Sequence, residues 1–214
     1  MSIEPISIMF IVSAFIAITI HEFAHAITAD MQGDSTPRIM GRVTLNPLKH
    51  FDPFGAIMIV FTSLSGFGIG WGKPVMVNHR NLKNPRWDSM WVALAGPLSN
   101  FLQAAIAAVI FRLIGFQNID PFAFSAGSFI FIYILANISL MLFNLIPLGP
   151  LDGHWILGAF LPDGTRERWF LWNRFTGTFA LLGIIIMAQV SKLDLLSILL
   201  EKPSYAIISF LLGR

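Results

Sequence analysis

An all-α polytopic membrane protein with about five to six hydrophobic segments is what three observations on this sequence predict. Of its 214 residues, 55% are hydrophobic and only 12% charged, about half the charged share of an ordinary soluble domain. Long apolar runs recur, at residues 5–20, 90–113 and 125–143, and the mean hydropathy is +0.70. Lysine and arginine lie mostly between the runs. With a net charge of only +2, the pI of about 9.2 reads as an orientation signal and lipid contact, not as a nucleic-acid interface. The chain has no cysteine, so disulfides, thiolate ligands and a cysteine nucleophile are all excluded.

The first segment opens with Pro5, which suits a first helical position, and about 25 residues from there rise roughly 37 Å, enough to span. No Lys or Arg precedes it and no small-residue cleavage site follows. It is therefore expected to be a retained span with its amino end outside. Gly33 marks the exit. Ala24, Ala26 and Ala29 either admit another helix closely or face lipid.

The end of this span carries His21-Glu22-Phe23-Ala24-His25. On a helix the two histidines are four apart and project from one face, where two imidazoles can grip one tetrahedral Zn²⁺. Glu22 is placed to take a proton from water at the ion without itself being a ligand. Three ionisable residues in five positions of a span each cost about 2–3 kcal/mol or more, and mark a functional site.

Residues 34–52 are polar and broken, with a strand-like piece at 41–45 and a second at 74–77. Between them the apolar stretch 54–71 is rich in glycine and makes a poor plain helix. It is expected to dip into the membrane and return. Parity supports this: a single crossing there would leave Asp152 on the side opposite the two histidines. Positive charge agrees, since Arg38, Arg42, Lys49, Lys73, Arg80, Lys83 and Arg86 then share the cytoplasmic side with Arg166 and Arg168. His50 and His79 in this region are accessory ligands, gates or ordinary interfacial histidines.

The next span contains Gly96-Pro97-Leu98-Ser99-Asn100, which predicts a kinked, closely packed turn with Asn100 facing inward, as a structural amide or a catalytic group. Trp87 and Trp91 look like interface anchors. Residues 176–190 form a further span edged by Trp169 and Trp172, while 193–212 is interrupted by Glu201-Lys202-Pro203 and is expected along the surface. One membrane-embedded domain fills 1–214. Its parts are the span 5–29, a β/re-entrant region 30–88, core spans 89–114 and 125–161, and C-terminal hydrophobic segments 169–212.

A catalytic zinc needs a third protein ligand. Glu4, Glu167 and Glu201 are the only other glutamates, and none is placed as a soluble thermolysin-type pattern requires. An aspartate must serve. Asp152 is the best placed, because Pro147, Gly149 and Pro150 must unwind the chain just before it, and broken backbone at membrane depth lines a cavity.

These motifs together resemble the site-2 protease family of intramembrane zinc metalloproteases, in its compact bacterial and archaeal form without PDZ or CBS domains. The resemblance runs from His21 to about Trp155. It rests on the histidine motif, Lys49-His50-Phe51-Asp52-Pro53-Phe54-Gly55, Gly72-Lys73-Pro74-Val75, Asn84-Pro85-Arg86, Ala95-Gly96-Pro97-Leu98-Ser99-Asn100 and Pro150-Leu151-Asp152-Gly153. It implies a core of three transmembrane helices in which His21, His25 and Asp152 bind one Zn²⁺ and Glu22 is the general base. Asn144, eight residues before Asp152, matches the family's substrate-steadying asparagine, although Leu145 follows it where the family often has proline. The family's membrane-associated β-hairpin maps to 41–45 and 74–77.

The implied function is hydrolysis of peptide bonds within or near transmembrane segments of membrane-protein substrates in the cell membrane, without nucleic acid. A metal or proton transporter using the same residues is the alternative, as is an inactive scaffold. A transporter pathway would continue across the membrane in further ionisable residues, and an inactive relative would have lost part of the motif. Neither feature is present.

Overall fold

The computed structural model describes residues 4–65, 72–115, 123–190 and 197–213. Helix α1, Pro5–Met31, starts at Pro5 and stops where Gly33 takes a positive φ of 112°. Helix α4, Pro85–Ile114, is capped by Asn84, whose side chain accepts from Trp87 N and whose backbone N–H donates to Asp88 at 2.6 Å. It ends at left-handed Gly115. Helix α5, Ala126–Asn144, begins at Ser125, whose hydroxyl accepts from Ser128 N.

Helices α1, α4 and α5 pack on one another and form the centre of the molecule. Small residues allow the approach: Ala17, Ala26 and Ala29 of α1 and Ala104 of α4 are wholly buried. Two of the three alanines at the end of α1 thus face protein, and Ala24 is only half-buried. Because Ala17 meets Asn100 and His25 meets Val92, α1 and α4 run antiparallel.

Among the described residues four stretches can cross a membrane by length and composition: α1, α4, α5 and Asp163–Met187. The fourth runs from α7, Asp163–Trp172, through a π-helical turn, Asn173–Gly177, into α8, Thr178–Val190, so it begins well before the expected residue 176. Between α5 and α7 lies only the short α6, Gly153–Phe160, so the expected core segment 125–161 is a span, a loop and a separate helix. The C-terminal α9, Lys202–Leu212, does not lie apart on the surface. Ile208 and Leu212 enter the core formed by Ala104, Ala107, Ala108 and Phe111 of α4 with Ile134, Ile138 and Met141 of α5.

The expected β/re-entrant segment is overturned. Among the described residues there is no strand, and the region 32–84 holds α2, Thr36–Ile39, a 3-10 turn, Pro47–Lys49, α3, Pro53–Ser65, and irregular chain. A single antiparallel bridge, Phe51 to Gly72, joins the two flanks of α3. Backbone groups that a hairpin would pair are used otherwise. Gly41 takes a φ of 65°, Thr44 N bonds back to Arg42 O, Val75 N donates to Glu22, and Asn78 N donates to Asp34. The glycine-rich residues 66–71 lie outside the described part, as do 116–122 and 191–196. Against the expected five to six hydrophobic segments, the described residues hold four helical stretches long and apolar enough to span, with α3 and α9 as shorter apolar helices.

Candidate metal centre

His21 and His25 lie one turn apart on α1, at the level where Gly96 of α4 passes. A methyl group at Gly96 would stand 2.4 Å from His25 Nε2 and 2.6 Å from His21 Cε1, so only glycine lets the two helices close around the rings. The Nδ1 atoms face α4. His25 Nδ1 donates to the Val92 carbonyl at 2.7 Å and His21 Nδ1 donates to Asn100 Oδ1 at 2.6 Å. Asn100 is itself fixed, its amide donating to Asn137 Oδ1 at 2.9 Å and to Ala17 O. Both rings therefore carry their proton on Nδ1 and turn bare Nε2 lone pairs toward each other, 3.0 Å apart.

Asp152 closes the triangle. It follows a loop, 145–151, in which Gly149 N donates to Asn173 Oδ1 at 2.6 Å, and it precedes Gly153, where a Cβ would lie 2.3 Å from the Leu145 carbonyl. Its oxygens stand 3.3 Å from His21 Nε2 and 3.4 Å from His25 Nε2.

Two donors about 2.05 Å from one tetrahedral ion are separated by about 3.3 Å, which is the spacing found here. Two lone pairs and a carboxylate facing one point repel unless a cation lies between them. Asp152 Oδ2 is also a buried oxygen with no hydrogen-bond partner. These three residues fit a zinc ion, and among the described residues they form the one His/Cys/Asp/Glu group that could hold a metal. His50 and His79 do not join it. His50 is fully buried against the Thr44 carbonyl, 2.7 Å away. His79 donates from Nδ1 to Ser89, whose hydroxyl bonds the Pro85 carbonyl, and its ring stacks on Trp155 at 3.9 Å. Burial lowers the pKa of both.

The triangle opens into a cavity of about 330 Å³ whose walls include Glu22, residues 74–77, His79, Asn144 and Trp155. Glu22 Oε2 accepts from Val75 N at 3.0 Å. Asn144 faces the cavity with one amide hydrogen committed to the Leu140 carbonyl and a second to offer. The sequence reading left Asn100 open between two roles and gave Gly96 only close packing. Their contacts with the two rings show what each does for the site. Nothing local in the sequence signals Arg42, Val92 or Asn173.

The profile of peptidase family M50 matches residues 9–126. The Bacillus subtilis protein named "Putative zinc metalloprotease YwhC" is 40% identical over 169 residues, 77% of this chain and 75% of that one. The Rip2 protein of Mycolicibacterium smegmatis is 29% identical over 78% of this chain and 64% of its own, and that of Mycobacterium tuberculosis 28% over 75% and 60%. The chain spans under two thirds of those two Rip2 proteins. No solved structure matches it.

Proposed function

This chain belongs to peptidase family M50, and from that membership we propose that His21, His25 and Asp152 hold one catalytic zinc ion beside a general base, Glu22. It is a zinc-dependent endopeptidase with multiple long hydrophobic helices, acting in the bilayer on transmembrane proteins. The observation that carries the ligand assignment is the triangle of three donor atoms, at tetrahedral spacing, open to a cavity that Glu22 also lines. Zinc bound there supplies Lewis acidity toward water and toward the scissile carbonyl.

The residues do the rest. With Oε2 anchored on Val75 N–H, Glu22 accepts the proton of the attacking water and returns it to the leaving amine. Asn100 and the Val92 carbonyl hold His21 and His25 in the tautomer that a ligand needs. Asn144 donates its remaining amide hydrogen to the developing oxyanion, a contact worth about 3 kcal/mol in comparable sites. A helical peptide bond is sequestered in its own hydrogen bonds, so the substrate unwinds before it reaches this cavity.

Outside the site the three central helices carry charged side chains only near their ends, Asp30 in α1 and Arg86, Asp88 and Arg112 in α4, with none in α5, while those of the fourth span lie in its first half, from Asp163 to Arg174. A transporter relay has no continuation through the three central helices. We read the whole chain as one membrane-embedded domain with its site nearer the cytoplasmic side, where the loop cations gather, and its amino end outside. The test is Glu22→Gln. It is expected to keep zinc at the parent level and to lose at least about 10³-fold in cleavage of a labelled transmembrane peptide. Cleavage at the parent rate would refute the general-base assignment.

A further inference from the structure

We propose that Arg42 is a positioning residue of this peptidase, locking the Glu22 carboxylate and the backbone of residues 73–75 into one register. The inference rests on Glu22 being the general base. Arg42 looks like one more loop cation, yet it is only 3% exposed and lies where the chain has almost no regular structure. A buried guanidinium is costly unless it is paired and hydrogen-bonded. Among the described residues Glu22 is the carboxylate paired with it, at 3.9 Å from Nη2 to Oε2.

The same Nη2 donates to the Lys73 carbonyl. Two residues on, Val75 N–H donates to Glu22 Oε2 at 3.0 Å. The circuit is closed: Arg42 to Lys73, Val75 to Glu22, and Glu22 back to Arg42. It is braced from outside by the Pro37 carbonyl, which accepts Arg42 N at 2.8 Å, and by the His50 carbonyl, which accepts Lys73 N at 2.8 Å. One carboxylate oxygen is thus committed to the wall. The other, Oε1, abuts Gly72, where a Cβ would approach within 3.5 Å, and is left to serve the water.

Arg42 is absent from the cavity lining, so it acts through Glu22 and the wall and does not touch substrate. Without its charge Oε2 keeps its Val75 donor but loses the facing cation, and the carboxylate can rotate away from its working direction. Lys73, which leads into the cavity wall 74–77, loses the bond to its carbonyl.

The experiment compares Arg42→Met, Arg42→Lys and Glu22→Gln in the detergent-purified full chain, with three readouts. These are zinc content, hydrogen exchange over residues 72–78, and kcat and KM on a fluorogenic transmembrane peptide. Arg42→Met is expected to keep its zinc, to exchange faster over 72–78, and to lose about tenfold or more in kcat with KM within about threefold. Arg42→Lys, which restores the charge without the fork, recovers part of kcat. Should Arg42→Met fail to fold, Arg42→Gln takes its place, since an amide can still donate to the Lys73 carbonyl while carrying no charge. Parent exchange and parent kcat in the neutral variant, or a change confined to KM, would overturn the inference. A fully active Arg42→Met beside an inactive Glu22→Gln sinks the role of Arg42 alone, whereas an active Glu22→Gln sinks the general base itself.

Discussion

His21 and His25 reach the site from within a regular helix, whereas Asp152 reaches it from an irregular loop, and different sets of contacts hold the two halves. The histidine half needs one neighbour. Helix α4 supplies both Nδ1 acceptors, Asn100 Oδ1 and Val92 O, and comes close enough because residue 96 is glycine. The aspartate half is distributed. Its loop is tied at Gly149 to Asn173 in the π-helical turn of the fourth span, and Gly153 brings the carbonyls of Leu145 and Ile146 against the start of α6. A helix sets the spacing of two ligands by its own periodicity, while a loop ligand takes its place from several separate contacts.

The largest expected effect breaks the histidine half. Gly96→Ala puts a methyl 2.4 Å from His25 Nε2 and close to His21, and is expected to abolish zinc binding, read as metal per purified chain. Gly153→Ala is the matching change in the loop half. Its Cβ meets backbone oxygens, so the loop must shift at about 1–3 kcal/mol, with zinc weakened but not lost. If Gly153→Ala lost more zinc than Gly96→Ala, the loop would be the more rigid half and the comparison would invert.

Smaller effects sharpen it. Asn100→Ala leaves His21 Nδ1 without its acceptor and should weaken zinc about 10–100-fold in a chelator competition. Asn173→Ala strips the acceptor from buried Gly149 N, a loss of about 1–3 kcal/mol spread over loop and site, and is expected to weaken zinc less than Asn100→Ala does. Equal effects from the two would mean that the loop is as tightly coupled to the ion as the helix.

The same division governs what the sequence made legible. The four-residue spacing of His21 and His25, the apolar runs of α1, α4 and α5, and the Pro147 to Pro150 break before Asp152 are local patterns, and each was readable. The strand-like pieces misled because alternation says nothing about who takes the backbone donors. Side-chain carboxylates took them, Glu22 at Val75 and Asp34 at Asn78, and Arg42 turned inward. Fully buried Asp34 also accepts from Thr36 and Asn81, and these hydrogen bonds outweigh burial and lower its pKa. Glu201-Lys202-Pro203 suggested a surface tail, yet Ser204, Ile208 and Leu212 recur at four-residue intervals and are all buried, a period that points inward. Asn173 lies 24 residues from its partner Gly149, beyond any local signal.

The central claim is that His21, His25 and Asp152 hold one zinc, and metal content measured on the chelator-free, detergent-purified protein tests it most directly. About one zinc per chain in the parent, with clear loss in both His25→Ala and Asp152→Ala, is the predicted result. A parent without zinc, or an Asp152→Ala variant that keeps the full complement, would contradict the account.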